Sequence, residues 1–327
     1  MSPPEVQILV LGGTITMAST SCGGVAPTLT GEALIRHLPE LQSLARVSVL
    51  TPFLKPGASL TCDDLMDTMR SVLEALERGA SGAVVVQGTD TIDESSFLCD
   101  LLYKGEAPVV FTGAMRSASA AGADGPANLL AAIGVAASTQ ARGLGVLVAM
   151  NDEIHLARSV EKMHKGLASA FHTPDAGPIG YVTESQLRIL RQPENRFTLP
   201  AWPQAMPAVA VVRTGLDDAT TLLEAIPRLG YAGLVVEAMG AGHVPDRFAS
   251  PLASLAADMP VVLASRVMGG CVFRRTYRFP GSEMDLIEKG LIPAGWLSPH
   301  KARLLLGACL GCGLDREDIA QAFEQYA

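Results

Sequence analysis

Two short segments place a glycine and a threonine where an apolar run ends. In "ILVLGGTITM" (8–17) the run leads into Gly12, Gly13 and Thr14, and in "VVVQGTDTIDES" (84–95) a second run leads into Gly88, Thr89 and Asp90. Apolar runs of this kind are typical of buried strands in a parallel sheet, and glycine permits a tight turn at the strand end. Because the carboxyl ends of parallel strands meet at one edge of the sheet, we expect both threonines to face the same crevice.

A glycine-rich turn after a strand could bind a phosphate or present a nucleophile. "LGGTIT" lacks the G-x-G-x-x-G spacing of dinucleotide-binding loops, and the chain has no Gly-Lys pair, which excludes a Walker A loop. No serine lies in a G-x-S-x-G elbow either. These absences favour the nucleophile.

A threonine hydroxyl is a weak nucleophile at neutral pH and needs a neighbouring base. A buried lysine held by an aspartate can be that base, because burial favours the neutral amine and the carboxylate positions it. The alternative is that Thr14 and Thr89 only begin helices and that Asp90 only forms a turn. For either segment taken alone, this alternative is favoured; the pair together favours chemistry.

Alternating strand and helix patterns predict how these turns are positioned. A helix over 62–78 begins with a capping box of Thr61 and Asp64, and a second helix, "TIDESSFLCDLL", begins with a capping box of Thr91 and Glu94. The predicted strands of the first half continue at 83–88, 108–113 and 144–150.

The sequence predicts an α/β fold with a mostly parallel sheet in an N-terminal catalytic domain, 1–184, and a smaller α/β domain, 207–327. A polar, proline-bearing linker, 185–206, joins them. Further strands are expected at 208–214, 233–240 and 260–266, and a late helix begins at Ser298 and Pro299.

Composition limits the possible functions. The chain has 327 residues, of which 48% are hydrophobic and 18% charged, and a net charge of −8, so we expect a globular protein that does not bind nucleic acid. "FRRTYR" (273–278) is interpreted as a solvated turn. No apolar run reaches membrane-spanning length and "MSPPEVQ" lacks signal-peptide features, so we expect no membrane association and a cytoplasmic location.

No metal site is predicted. Cys309 and Cys312 form a lone C-x-x-C, which is interpreted as core packing, and His155, His164 and His172 lack the i, i+4 spacing of a helical zinc site.

Five sequence blocks occur in the order found in one enzyme family. On these blocks the chain is identified as a member of the bacterial asparaginase/glutaminase family, and the resemblance covers nearly the whole chain. The blocks are "GGTI", "GTDTIDES", "TGAMRSASAAGADGPANL" (112–129), "VAMNDEIHLARSVEKMHKG" (148–166) and "SPHKARLLL" (298–306).

The resemblance implies cofactor-free hydrolysis of L-asparagine to L-aspartate and ammonia through an acyl-enzyme. Thr14 matches the family's nucleophile, and Thr89, Asp90 and Lys162 match its Thr-Asp-Lys triad, so Lys162 should lie near Asp90 and be shielded from water. The resemblance also implies a homo-oligomer, a dimer or tetramer, whose sites are completed across an interface.

The resemblance further implies a set of substrate-binding residues. Asp90 would hold the substrate's α-amino group, Ala114 would lie near the amide oxygen, and Ser59 could bind the α-carboxylate through its hydroxyl and the adjacent N–H groups. Glu283 falls where a neighbouring subunit donates a glutamate, and His243 lies near another such position. The full predicted set is Ala58, Ser59, Gly88, Thr89, Asp90, Ala114 and Glu283.

The chain departs from the family in the segment after the first strand. Residues 17–31 contain no tyrosine to hydrogen-bond the nucleophile, although their glycines and small polar residues suit a lid. The local hydroxyls that could replace that tyrosine are Thr16, Ser19, Thr20 and Ser21. Two alternatives to an asparaginase stay open. The missing tyrosine supports a non-catalytic small-molecule binding protein with the same fold, and a changed grip on the α-amino group, since the glutamine that the family places beside Ser59 has no clear match, supports a hydrolase of glutamine or another small amide.

Overall fold

The computed structural model describes residues 3–19, 25–27, 31–36, 38, 40–193 and 196–327. The chain divides into two compact units, Met1–Thr198 and Leu199–Ala327. The predicted linker, 185–206, includes this division, and its residues 186–189 form a strand of the first unit.

The first unit consists of one large sheet, two small sheets and five α-helices within its described residues. The strands are β1 Glu5–Val10, β2 Met17–Ser19, β3 Val25–Pro27, β4 Arg46–Leu50, β5 Gly82–Val86, β6 Val109–Thr112, β7 Val146–Met150, β8 Glu153–Leu156, β9 Glu161–Lys162, β10 Phe171–His172, β11 Gly180–Thr183 and β12 Gln186–Ile189. The helices are α1 Gly31–Ile35, α2 Leu41–Leu44, α3 Cys62–Glu77, α4 Ile92–Leu102 and α5 Gly125–Ala137.

The large sheet has eight strands in the order β12-β11-β8-β7-β6-β5-β1-β4. Neighbours from β4 to β7 pair in parallel, whereas β8, β11 and β12 add an antiparallel edge. The predicted mostly parallel sheet is thus confirmed. The carboxyl ends of β1, β4, β5 and β6 lie at one edge, where the loops that follow them come together.

Burial explains why the apolar runs became strands. Every residue of β5 and β6 is buried, as expected for central strands covered on both faces by helices. The helix α3 begins with the predicted capping box, in which Thr61 accepts a hydrogen bond from the N–H of Asp64 and Asp64 accepts one from the N–H of Thr61.

The capping box predicted for Thr91 and Glu94 is wrong. Thr91 precedes α4 but its side chain caps no N–H of that helix. Its hydroxyl instead donates to the carbonyl oxygen of Gly57, 3.0 Å away. A long-range partner therefore takes the hydroxyl that local pattern assigned to the helix end.

The second unit contains the parallel sheet β13-β14-β15-β16. Its strands are β13 Val209–Arg213, β14 Gly233–Ala238, β15 Val261–Ser265 and β16 Ile292–Pro293. Its helices are α6 Thr221–Ala225, α7 Asp246–Asp258, α8 Glu283–Glu288, α9 Pro299–Gly311 and α10 Arg316–Glu324. The predicted smaller α/β domain is confirmed, and α9 begins at Pro299 as predicted. Within the described residues of the whole chain, no helix has the length and apolar character needed to cross a membrane.

Candidate active site

Three glycines bring the loops after β1, β4 and β5 into backbone contact. A Cβ atom added to Gly13 would lie 2.2 Å from the backbone nitrogen of Gly88, and one added to Gly88 would lie 2.5 Å from the backbone nitrogen of Gly57. Gly13 also has φ 91, a conformation that other residues rarely adopt. Only glycine fits at these contacts, so the turns that carry Thr14, Ser59 and Thr89 are held directly against one another.

Thr14 begins a single 3-10 turn, Thr14–Thr16, directly after these glycines. Its side chain is half-buried, whereas Thr16 is fully buried and donates its hydroxyl to the carbonyl oxygen of Gly13 at 2.7 Å. Of the two threonines, Thr14 is therefore the one that is partly exposed. The Thr16 hydroxyl, a candidate replacement for the family's tyrosine, is already committed to holding this turn.

Lys162 joins the predicted triad. Its Nζ donates to Oγ1 of Thr89 at 3.0 Å and to Oδ1 of Asp90 at 2.9 Å. The Lys162 side chain is only 15% exposed and that of Asp90 is 67% exposed. The ammonium is thus shielded, as the resemblance implied, while one side of its aspartate partner faces solvent and can contact a ligand.

The loop after β6 presents the buried Ala114. Asp124, at the N-cap of α5, fixes this loop by accepting hydrogen bonds from the N–H groups of Met115 and Arg116, both at 2.9 Å. Asn128 donates from Nδ2 to the carbonyl oxygen of Gly113 at 3.0 Å. Asp124, before α5, and Asn128, within it, therefore hold the backbone around Ala114 in place, as a preorganised hydrogen-bond donor requires.

The turn Gly57–Ser59 carries two of the predicted substrate-binding residues. Ala58 and Ser59 are exposed, and the N–H of Ser59 donates to the carbonyl oxygen of Pro56 at 2.9 Å within the turn. The N–H of Leu60 likewise donates to Gly57 at 3.2 Å. Ser59 is thus exposed, while these two N–H groups, which we expected to help bind the α-carboxylate, hold the turn.

Hydrogen bonds of Gln87 and Thr91 connect the turn Gly57–Ser59 to the turn Thr89–Thr91. The Thr91 hydroxyl bonds to Gly57, and Nε2 of the buried Gln87 lies 3.3 Å from Oγ1 of Thr91 and 3.1 Å from Oγ of Ser95. Sequence reasoning missed this network because its link to Gly57 spans 34 residues of sequence. The polar Gln87, directly after β5, was the local sign of it.

Glu283 lies in the second unit, fully buried at the first turn of α8. Its Oε1 accepts from the N–H groups of Thr276 and Tyr277 at 3.0 and 2.7 Å, and its Oε2 lies 3.2 Å from Nε2 of His243. Burial by itself would raise the pKa of this carboxyl, but the hydrogen bonds from Tyr277, Thr276 and His243 outweigh it and lower the pKa below its ordinary value. Its predicted contact with substrate in a neighbouring subunit stays a prediction.

We expect Glu283→Gln to destabilise the second unit in a pH-dependent manner. Because the folded pKa of Glu283 is lowered, its carboxylate stabilises the fold above the unfolded pKa of about 4.3, and this contribution is lost as pH falls through the lower folded pKa. Near pH 7 the variant should lose roughly 1–3 kcal/mol of unfolding free energy. Both tryptophans, Trp202 and Trp296, belong to this unit, so their fluorescence in urea reports its unfolding.

The matched control is Glu288→Gln on the same helix, where the side chain is 57% exposed and pairs with Arg278. It should change the free energy of unfolding little at any pH. A Glu283→Gln deficit that is as large below about pH 4 as near neutrality would contradict the assigned cause.

The structure describes only part of the expected lid. Thr20, Ser21, Gly23 and Gly24 of the expected lid lie outside the described residues, as does the side chain of Ser19.

Among the residues that are described, no group of three His, Cys, Asp or Glu side chains could hold a metal ion.

Comparisons with known proteins identify the family. The family described as "Asparaginase, N-terminal" matches residues 5–195, and "Glutaminase/Asparaginase C-terminal domain" matches residues 208–323. The chain belongs to the asparaginase family. The predicted resemblance is confirmed, and with it the enzyme class, an asparaginase-type hydrolase.

Similar asparaginase-family proteins match this chain along nearly its full length. A protein of Haemophilus influenzae named "Probable L-asparaginase periplasmic" is 33% identical over 99% of this chain and 93% of its own length. A "Glutaminase-asparaginase" of Pseudomonas fluorescens is 30% identical over 98% of this chain and 90% of its own. The crystal structure of a "Probable Cytoplasmic L-asparaginase" from Campylobacter jejuni has a TM-score of 0.88 at 29% identity and covers 98% of this chain and 99% of that one.

Proposed function

We propose that this protein hydrolyses the side-chain amide of L-asparagine with Thr14 as the nucleophile. The observation that carries the proposal is the position of Lys162, whose Nζ contacts both Thr89 and Asp90 beside the turn of Thr14. A hydroxyl, a shielded amine and a carboxylate in this arrangement are the groups that acyl transfer needs.

In the first half-reaction the Thr14 oxygen attacks the amide carbon. Its proton passes through Thr89 and Lys162 to the departing nitrogen, the carbon–nitrogen bond breaks, and ammonia and a Thr14 ester form. In the second half-reaction a water molecule attacks the ester carbon while Thr89 and Lys162 take its proton. The bond between that carbon and the Thr14 oxygen breaks, the proton passes to the Thr14 oxygen, and L-aspartate and free Thr14 result.

Charge on the amide oxygen develops during both attacks and needs fixed donors. The loop at Ala114, which Asp124 and Asn128 hold in place, is suited to supply a backbone N–H to that oxygen. The exposed side of Asp90 would bind the α-amino group and the Ser59 hydroxyl the α-carboxylate, with Ala58 and Gly88 lining the same space.

Ammonia release tests the proposal. Purified protein is incubated with L-asparagine, L-glutamine, D-asparagine and a simple alkyl amide, and ammonia is measured over time. We expect the fastest release from L-asparagine, because Asp90 and Ser59 are proposed to bind the α-amino and α-carboxylate groups, which a simple alkyl amide lacks. Release from none of these amides, together with binding of L-aspartate, would instead support the non-catalytic binding protein.

Glutamine is the second candidate substrate. It is favoured by the similarity to a relative that is named for both activities, the Pseudomonas fluorescens protein. A ratio of kcat/KM for glutamine over asparagine above one would replace the first proposal with this one.

We propose a homo-oligomer, a dimer or tetramer, in the cytoplasm. The family resemblance supports the oligomer, and the Campylobacter jejuni structure carries the word cytoplasmic in its title. Light scattering on the eluting peak of a sizing column, and cell fractionation, test the two parts separately. A monomeric mass at assay concentration, or recovery in the periplasmic fraction, would overturn the respective part.

A further inference from the structure

Lys162 lies on a very short element. Its strand, β9, has two residues and, among the described residues, pairs with β10 alone, which also has two residues; this small sheet is separate from the large one. Isolated two-stranded pairs are marginally stable in water. The strand therefore needs another attachment if the Lys162 Nζ is to stay within hydrogen-bond distance of Thr89 and Asp90.

The side-chain contacts of Lys162 are a weak attachment by themselves. Its partner Asp90 is 67% exposed, and a solvated ion pair contributes little to holding a long, flexible side chain. Thr89 contributes one further hydrogen bond at 3.0 Å. These contacts depend on where the backbone of Lys162 is placed.

Asp93 supplies the missing attachment. Its Oδ2 accepts a hydrogen bond from the backbone N–H of Lys162 at 2.9 Å, across 69 residues of sequence. Its Oδ1 accepts from the N–H of Glu94 at 3.1 Å, which fixes the carboxylate in the first turn of α4. A carboxylate is favoured at this helix end, and a hydrogen bond to an ionised acceptor is stronger than one between neutral groups.

We infer that Asp93 is a positioning residue: by holding the backbone of Lys162, it keeps the Lys162 ammonium within hydrogen-bond distance of Thr89 and Asp90. One short segment, 89–93, then holds both ends of the lysine: Thr89 and Asp90 bind its Nζ and Asp93 binds its backbone N–H. The inference rests on the proposed function, in which Lys162 must take and return a proton at a fixed distance from Thr89.

The test compares Asp93→Ala with Asp93→Asn. The alanine variant removes the acceptor, so we expect kcat for L-asparagine to fall by about 10- to 100-fold with KM changed less than about threefold, because proton transfer depends steeply on geometry while the substrate grips are untouched. The Asp93→Asn variant keeps an acceptor oxygen at this position, so we expect it to retain most of the wild-type turnover.

Asp63→Ala is the matched control. Asp63 is an exposed carboxylate in the first turn of α3, so its removal costs the same kind of helix-end interaction without touching Lys162. It should leave kcat and KM near their wild-type values. A fall in kcat of the same size in Asp63→Ala would show that loss of a helix-end charge, and not the attachment of Lys162, is responsible.

Amide hydrogen exchange provides a readout that does not need activity. The N–H of Lys162 should exchange markedly faster in Asp93→Ala than in wild type or Asp93→Asn, with no change at β5 or β6. If wild type hydrolyses no amide, the proposed function fails while this measurement still decides whether Asp93 holds Lys162. Unchanged exchange at Lys162, or an unchanged kcat in Asp93→Ala of an active enzyme, would overturn the inference.

Discussion

Thr14→Ala should reduce kcat for the amide substrate by at least about three orders of magnitude, because it removes the oxygen that the proposed function assigns to the acyl-enzyme. Thr89→Val should cost a comparable factor, since it removes the hydroxyl that Lys162 Nζ contacts at 3.0 Å and through which the proposed proton transfer runs. Binding of L-aspartate should survive in Thr14→Ala. Steady-state ammonia release and titration calorimetry measure the two quantities.

Thr139→Val is a suitable control for both threonine variants. Like Thr14 and Thr89, Thr139 is the first residue of a 3-10 turn in the first unit, but it is exposed and follows α5 away from the strand ends. Its turnover should equal that of wild type. If Thr14→Ala kept more than about a tenth of wild-type kcat, Thr14 could not be the nucleophile.

Lys162→Met should abolish turnover while the protein stays folded. The substitution keeps a side chain of similar length and removes the ammonium from Thr89 and Asp90. Because Asp90 is mostly exposed, water can solvate the carboxylate that is left behind, so the free energy of unfolding should change by no more than about 1 kcal/mol.

Lys55→Met separates this effect from the loss of any ion pair. Lys55 pairs with Asp64 at 2.8 Å in the same unit, and its side chain touches neither Thr89 nor Asp90 in the hydrogen bonds that the described residues make. We expect this variant to retain turnover. Residual activity in Lys162→Met near that of Lys55→Met would remove Lys162 from the mechanism.

Local patterns predicted the elements that carry the chemistry. The apolar runs before Gly12 and Gly88 became β1 and β5, and the capping box of Thr61 and Asp64 became the start of α3, because both signals are complete within a few residues. The antiparallel edge of the sheet was not predicted. Its two turns place Asn151, Asp152, Glu184 and Ser185 at positive φ without any glycine to mark them.

Long-range hydrogen bonds explain what local patterns could not predict at the site. Thr91 is assigned to a capping box by its spacing, yet the carbonyl of Gly57 takes its hydroxyl across 34 residues. In the sequence, Asp93 looks like any acidic residue in a first helical turn. Its hydrogen bond to the backbone N–H of Lys162 exists only once β9 is folded against α4. Such partners depend on the packed fold, so no window of sequence contains them.

The backbone contact between Gly13, Gly57 and Gly88 has a consequence for altering the enzyme in the laboratory. The peptide chains themselves touch at these points, so no substitution at the glycines can widen or narrow the space between the turn of Thr14 and the turn of Ser59. Asparagine and glutamine differ by one methylene, about 1.5 Å of chain. Directed evolution toward the longer amide would therefore gain most from libraries at the exposed Ala58 and Ser59, and diversity at the glycines would yield unfolded protein.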